Sequence, residues 1–168
     1  PQLCITAVAV PGTELGATDA DGARFIDNVR ITGAIPDMVE EAMEFVRRNS
    51  RTKTVVDANG MRQDKPEYPF KAVREVILNA LVHRDYSMYT ENTPVTLEMY
   101  RDRMVIRNRG VLYGGGALSQ LGKGRPGTRN PALANMLEIL RITENRYSGI
   151  PTIYREFAGA RLPKPEFS

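Results

Sequence analysis

Glu75, Asn79 and His83 stand four residues apart, a spacing that puts a carboxylate, an amide and an imidazole on successive turns of one helix face. A carboxylate can take a proton from water, and a neutral amide oxygen can ligate a hard cation without adding charge. The stretch that must hold them runs from Tyr68 to Ser87, opens on proline, and has no Gly or Pro from Phe70 onward. Val73, Val76, Ile77, Ala80 and Leu81 form its core-facing stripe. Leu78 and Val82 flank the polar ridge, so the helix is apolar nearly all round and predicts burial on both sides. A polar ridge there must find partners or face a cleft. The residues leave a plain alternative open: Glu75 pairing with Arg74 or Arg84, Asn79 capping a loop, and His83 satisfied in the core. The polar tail His83-Arg84-Asp85-Tyr86-Ser87 favours a site, because a helix that merely stops does so more often on Gly or Asn.

Composition narrows the chemistry. The 168 residues are the size of one domain, and 42% hydrophobic and 26% charged residues are those of a soluble globular chain. The 23 Lys and Arg against 20 Asp and Glu leave a formal charge of +3. That permits phosphate contact, but no helix clusters Arg and Lys as a recognition helix does. Cys4 is the one cysteine and His83 the one histidine, which excludes an internal disulfide and makes an all-protein transition-metal site a poor reading. No apolar run has the length of a membrane span and no signal peptide is visible, so a cytoplasmic location is expected.

Around the central helix the chain alternates strands and helices. Leu3 to Val10 reads as a buried strand, Phe25 to Ile31 as a second strand or extended connection, and Lys53 to Asp57 as a short strand. Pro36 and Asp37 start a helix with Met38, Val39, Ala42, Met43, Phe45 and Val46 inward, ending at Arg47-Arg48-Asn49. Ala58 to Glu67 reads as a polar linker. Val95, Leu97 and Met99 alternate with polar positions, and Arg101-Asp102 turns the chain into Met104-Val105-Ile106, a hairpin. Gly114-Gly115-Gly116 and Gly122-Lys123-Gly124-Arg125-Pro126-Gly127 are glycine-rich, with backbone N–H groups and cations suited to phosphates. Asn130 is the expected cap of a helix begun by Pro131. Ile150-Pro151 opens another helix, with Ile150, Ile153, Tyr154 and Phe157 on one stripe and Gly159 at its end. Leu162 to Phe167 leads toward a further strand. This pattern predicts an α/β (α+β sandwich) fold with helices on one face of a mixed sheet.

The segment from Arg74 to Ser87, with its Asn79-Ala80-Leu81-Val82-His83-Arg84-Asp85-Tyr86-Ser87 core, resembles the signature of the RecG-related transcriptional regulators. Arg103 to Leu112 resembles the strand and turn of that family, where Asn-Pro-Gly is usual. Arg129-Asn130-Pro131-Ala132-Leu133-Ala134 and Ser148-Gly149-Ile150 are similar to its later motifs. The resemblance covers roughly Gly33 to Phe167. It implies a divergent histidine-kinase-like (GHKL) ATPase fold at residues 33–168, behind a Schlafen AlbA-type domain whose end, or a linker, would be residues 1–32.

By that resemblance Glu75 would be the general base and Asn79 the magnesium ligand. His83, Arg84, Asp85, Asn108, Gly110, Lys123, Arg125, Arg129 and Gly149 would surround ATP, with Mg2+ as its companion. Asn108 stands where active members of the fold carry Asp, and Tyr147 where Gly is common. The implied cleft is therefore degenerate, and its owner a regulatory domain of a DNA-associated transcriptional regulator. An active magnesium-dependent ATPase and a structural or dimerising domain with a vestigial site are the alternatives. DNA would be reached through domains outside these residues, a homodimer is compatible, and no membrane partner is expected. No G-x-x-x-x-G-K-[ST] loop occurs, and Gly122-Lys123-Gly124 does not supply one, so the chain alone is not a helicase.

Overall fold

The computed structural model describes residues 3–56, 58–90, 93–110, 112–113, 121–123, 127–143 and 149–168. Strand β1 (Cys4–Ala9) is followed by β2 (Asp27–Thr32), helix α1 (Ile35–Asn49), the ribbon strands β3 (Thr52–Val56) and β4 (Arg62–Pro66), and the central helix α2 (Phe70–Val82). The hairpin β5 (Val95–Met99) and β6 (Met104–Arg107) and the helices α3 (Pro131–Ile139) and α4 (Gly149–Gly159) complete it.

The main sheet has the order β2-β1-β5-β6, with β1 and β5 parallel and the outer pairs antiparallel. The protein is thus α+β with a mixed sheet. Register explains which face the helices cover. Ile5, Ala7 and Ala9 lie opposite Val95, Leu97 and Met99, Ile31 lies opposite Ile5, and Ile106 lies opposite Leu97. A period of two puts all of these on one side. There they share one core with Met38, Val39, Ala42, Met43, Phe45 and Val46 of α1 and Val73, Ile77, Leu78 and Leu81 of α2. Helix α1 packs on β1 and β2, α2 reaches α1 and β6, and α4 packs on α2. Strands β1 and β2, which lie in the stretch 1–32 expected to be the end of an upstream domain or a linker, hydrogen-bond into this sheet and fill the same core.

Three local readings change. Ala58 to Glu67 is no simple linker: β4 pairs antiparallel with β3, from Thr52 opposite Pro66 to Val56 opposite Arg62. Its sequence Arg-Gln-Asp-Lys-Pro has no apolar alternation, because the ribbon is exposed on both faces and buries none of it. Asn130 precedes α3, but its side chain does not cap that helix. Its Nδ2 donates instead to the carbonyls of Val82 and Arg84, both at 2.8 Å, and so closes the carboxyl end of α2. Leu162 to Phe167 forms no strand; Phe167 packs edge-on against Tyr154, with ring centroids 5.9 Å apart.

Candidate functional site

Helix α2 turns Val73, Ile77 and Leu81 into the core and leaves Glu75 and Asn79 against the start of α4. Glu75 and Asn79 are half-buried, and Asn79 Nδ2 donates to Glu75 Oε1 at 3.4 Å. The amide oxygen of Asn79 is then the end left for another donor or a cation. Their neighbour across the gap is the start of α4. A Cβ added at Gly149 would lie 2.4 Å from Glu75 Oε1 and 3.1 Å from Asn79 Nδ2, so only glycine leaves the ridge as it stands. Gly122 arrives at the same helix start. Its φ is +81°, and a Cβ there would fall 2.9 Å from Ile150 Cγ2. The ridge, the later glycine motif and one glycine of the earlier loop therefore meet at one place.

His83 ends α2, its backbone N–H donating to the Asn79 carbonyl at 3.0 Å. The imidazole is half-buried, and that burial holds its pKa below the ordinary 6.5, so near neutral pH it is uncharged. The residues after it form a structural knot. Arg84 is 3% exposed, and its NH2 donates to the carbonyls of Thr90 and Thr93 at 2.7 and 2.6 Å. Its guanidinium also lies 5.1 Å from the Tyr86 ring. Among the described residues the Nε of Arg84 is buried without a hydrogen bond. Asp85 Oδ1 accepts the Ser87 N–H at 2.9 Å, and this backbone bond leads the causes that hold its carboxyl below the usual value.

Asp85 also ties the strand-turn to the helix. Its N–H donates to the Arg109 carbonyl at 2.8 Å, and Oδ2 lies 3.4 Å from Arg129 NH1. Gly110 has φ +125°, a conformation that strains any side chain, and a Cβ there would come within a tight 3.3 Å of Asp85 Cβ. Arg129 lies 5.7 Å from the Tyr113 ring, and the same ring would meet a Cβ on Gly127 at 3.1 Å. Sequence reading missed this aromatic, since nothing in its spacing marks it. Asn108 is half-buried just after β6, and Lys123 is exposed. Arg125, Tyr147 and Gly114-Gly115-Gly116 lie outside the described residues.

Two groupings result: Glu75, Asn79, Gly122 and Gly149 along α2 and the start of α4, and Arg84, Asp85, Gly110 and Arg129 at the carboxyl end of α2. The Arg74 alternative is not what the helix does, for its guanidinium donates to the Ile142 carbonyl at 3.0 Å and approaches Glu40 at 3.5 Å. The donor pair Glu75 and Asn79 suits a nucleotide's magnesium ion in chemical type. In position it suits less well, because the first residue of α4 already lies against both side chains. Among the described residues no cluster of three or more His, Cys, Asp or Glu could hold a metal. A cavity of about 300 Å³ opens elsewhere, at the carboxyl ends of β1 and β5, and neither Glu75 nor Asn79 lines it. No helix among the described residues is long and apolar enough to cross a membrane.

Residues 92–168, a little under half of the chain, match the family described as "Putative ATP-dependent DNA helicase recG C-terminal". That stretch is similar to the ATPase-like C-terminal domain of RecG-related proteins and takes in β5, β6, α3 and α4. Asn108, Gly110, Lys123, Arg129 and Gly149 fall within it, whereas Glu75, Asn79 and His83 precede it. No curated protein and no solved structure matches the chain.

Proposed function

We propose that this chain is the regulatory domain of a DNA-associated, RecG-related transcriptional regulator of the cytoplasm, with a degenerate nucleotide cleft at Glu75 and Asn79. The observation that carries this reading is the seat of α4 on the ridge. A helix amino terminus offers N–H groups and a positive dipole end to anions. Glu75 already brings a carboxylate to the first residue of α4, so a nucleotide phosphate must displace Glu75, α4 or both. Such a site answers ligand by moving a helix, which suits a sensor.

The residues still present give it some affinity. Asn79 would turn its amide oxygen to magnesium, Glu75 would take a proton from water, and Lys123, beside Gly122 at the start of α4, would meet phosphates. Asn108 replaces the carboxylate that reads adenine in active members of the fold, and an amide presents a different hydrogen-bond pattern. Loss of one charge-assisted contact costs about 1.5–3 kcal/mol, roughly ten- to a hundredfold in affinity.

Calorimetry with ATP and magnesium, paired with a phosphate-release assay, tests the proposal. The expected outcome is weak binding with little or no turnover. Robust turnover abolished by Glu75→Ala would overturn it in favour of a magnesium-dependent ATPase. Absence of binding at about millimolar nucleotide, some 4 kcal/mol of binding free energy, would leave a structural domain with a vestigial site.

A further inference from the structure

Among the described residues the ribbon β3–β4 is a sheet separate from the main one, and it is solvent-exposed on nearly every residue. Its register puts Lys53 directly opposite Lys65. Directly opposed residues of an antiparallel pair share a face, and like charges there repel. Neither ammonium has an ion-pair partner among the described residues. Of the ribbon's carboxylates, Asp64, on the other face, accepts the Thr54 hydroxyl at 2.7 Å, and Glu67, just past β4, accepts the Arg51 backbone N–H at 3.3 Å.

The pairing continues one step past the strands, through the Glu67 N–H and the Arg51 carbonyl at 2.9 Å. Period two then places Arg51 and Glu67 on the lysine face. Both line the cavity of about 300 Å³ at the ribbon's foot, together with Arg48, Arg101 and Tyr100. Arg48 is already bound to Asp27 Oδ2 at 2.6 Å. Arg101 has no side-chain ion pair among the described residues, and its carbonyl accepts Arg51 NH2 at 3.4 Å. On this face Lys53, Lys65, Arg51 and Arg101 stand against the single carboxylate of Glu67, so the strip from the ribbon to its foot carries a net positive charge.

We propose that this strip is a duplex-DNA site, with the β3–β4 ribbon entering the major groove and its lysines and the arginines at its foot holding backbone phosphates. A major groove about 12 Å wide admits a two-stranded ribbon, whereas the deep, narrow groove of A-form RNA does not. Binding to single strands rests on aromatic platforms; neither ribbon strand contains an aromatic residue, and the Tyr100 ring at the ribbon's foot already has the Arg103 guanidinium 4.3 Å from its centroid. Phosphates along the groove's edges offset the repulsion between the opposed lysines. Contacts of this kind position without reading sequence. The site is independent of the nucleotide cleft, and either can fail alone.

Fluorescence anisotropy of a duplex of about 20 base pairs, two helical turns, titrated with the 168-residue chain across a salt series, tests it. The expected dissociation constant at physiological salt is about 10⁻⁴ to 10⁻⁶ M, the non-specific range, falling steeply as salt is lowered. Lys53→Gln with Lys65→Gln should weaken binding about tenfold near physiological salt and flatten the slope of log K against log salt by about 2. Arg101→Gln should remove about 1 more. Lys53→Arg with Lys65→Arg should restore the slope, and Lys164→Gln, beyond α4, should leave it nearly unchanged. Circular dichroism checks that the exposed substitutions leave the fold intact. No binding at low salt, a slope insensitive to the double substitution, or tighter binding of the matching single strand would each overturn the proposal.

Discussion

At the residue scale, the ridge of Glu75, Asn79 and His83 was readable because side chains four apart on a helix must share a face. What they face was not readable, because the start of α4 is 70 residues from Asn79 in sequence, about 20 helical turns' worth of chain. Asn130 shows the limit more sharply. An Asn before Pro signals a helix start, but spacing cannot say that the amide serves the end of a different helix. His83 yields a prediction that the lone histidine makes clean. Burial lowers its pKa in the folded state below 6.5, so the unfolded chain takes up the proton first as pH falls. The stability that a neutral His83 confers is complete above about 6.5 and is lost as pH drops toward the lower folded value. Urea unfolding from pH 8 to 5 should therefore show stability falling below about 6.5, with His83→Gln flattening that window. NMR titration of the single imidazole should give a value under 6.5.

At the element scale, α2 follows from its own sequence and depends on its neighbours at both ends. Its seven buried residues, Ala72, Val73, Ile77, Leu78, Ala80, Leu81 and Val82, exceed what one apolar stripe requires. The surplus is explained by layers on either side, the sheet and α1 on one and α4 on the other. The ribbon illustrates the reverse case. Strand β4 has no hydrophobic signal, and only its partner β3 makes it a strand. The carboxyl end of α2 lacks Gly, and the Asn130 amide does the closing. Asn130→Ala should orphan the Val82 and Arg84 carbonyls and cost about 1–3 kcal/mol. Denaturant unfolding should show the midpoint lowered with the slope unchanged. Asn130→Asp should be no rescue, since a carboxylate cannot donate to two carbonyls.

At the scale of the molecule, the sheet decides what counts as a unit. Sequence reading placed a boundary after residue 32, and the strand at Leu3 to Val10 was legible as buried, but its pairing was not. Parallel pairing of β1 with β5 joins residues some 90 positions apart, which no local pattern encodes. In the fold β1 lies between β2 and β5, and Ile5 and Ile31 are 1% and 0% exposed within the core shared with α1 and α2. Removing residues 1–32 would delete two of the four strands and leave β5 with an open edge. It would also uncover Met38, Val39, Ala42 and Met43, which pack into the same cluster. Truncating one buried Ile to Ala typically costs about 2–5 kcal/mol, and a whole domain of this size has about 5–15 kcal/mol. Losing Ile5 and Ile31 with their strands approaches or exceeds that total. The fragment 33–168 should therefore lack a cooperative thermal transition, while the 168-residue chain shows one. Calorimetry of both, with near-ultraviolet circular dichroism, reads the difference. A cooperative transition in the fragment would support the boundary after residue 32 and make β1 and β2 an addition to a smaller self-sufficient core.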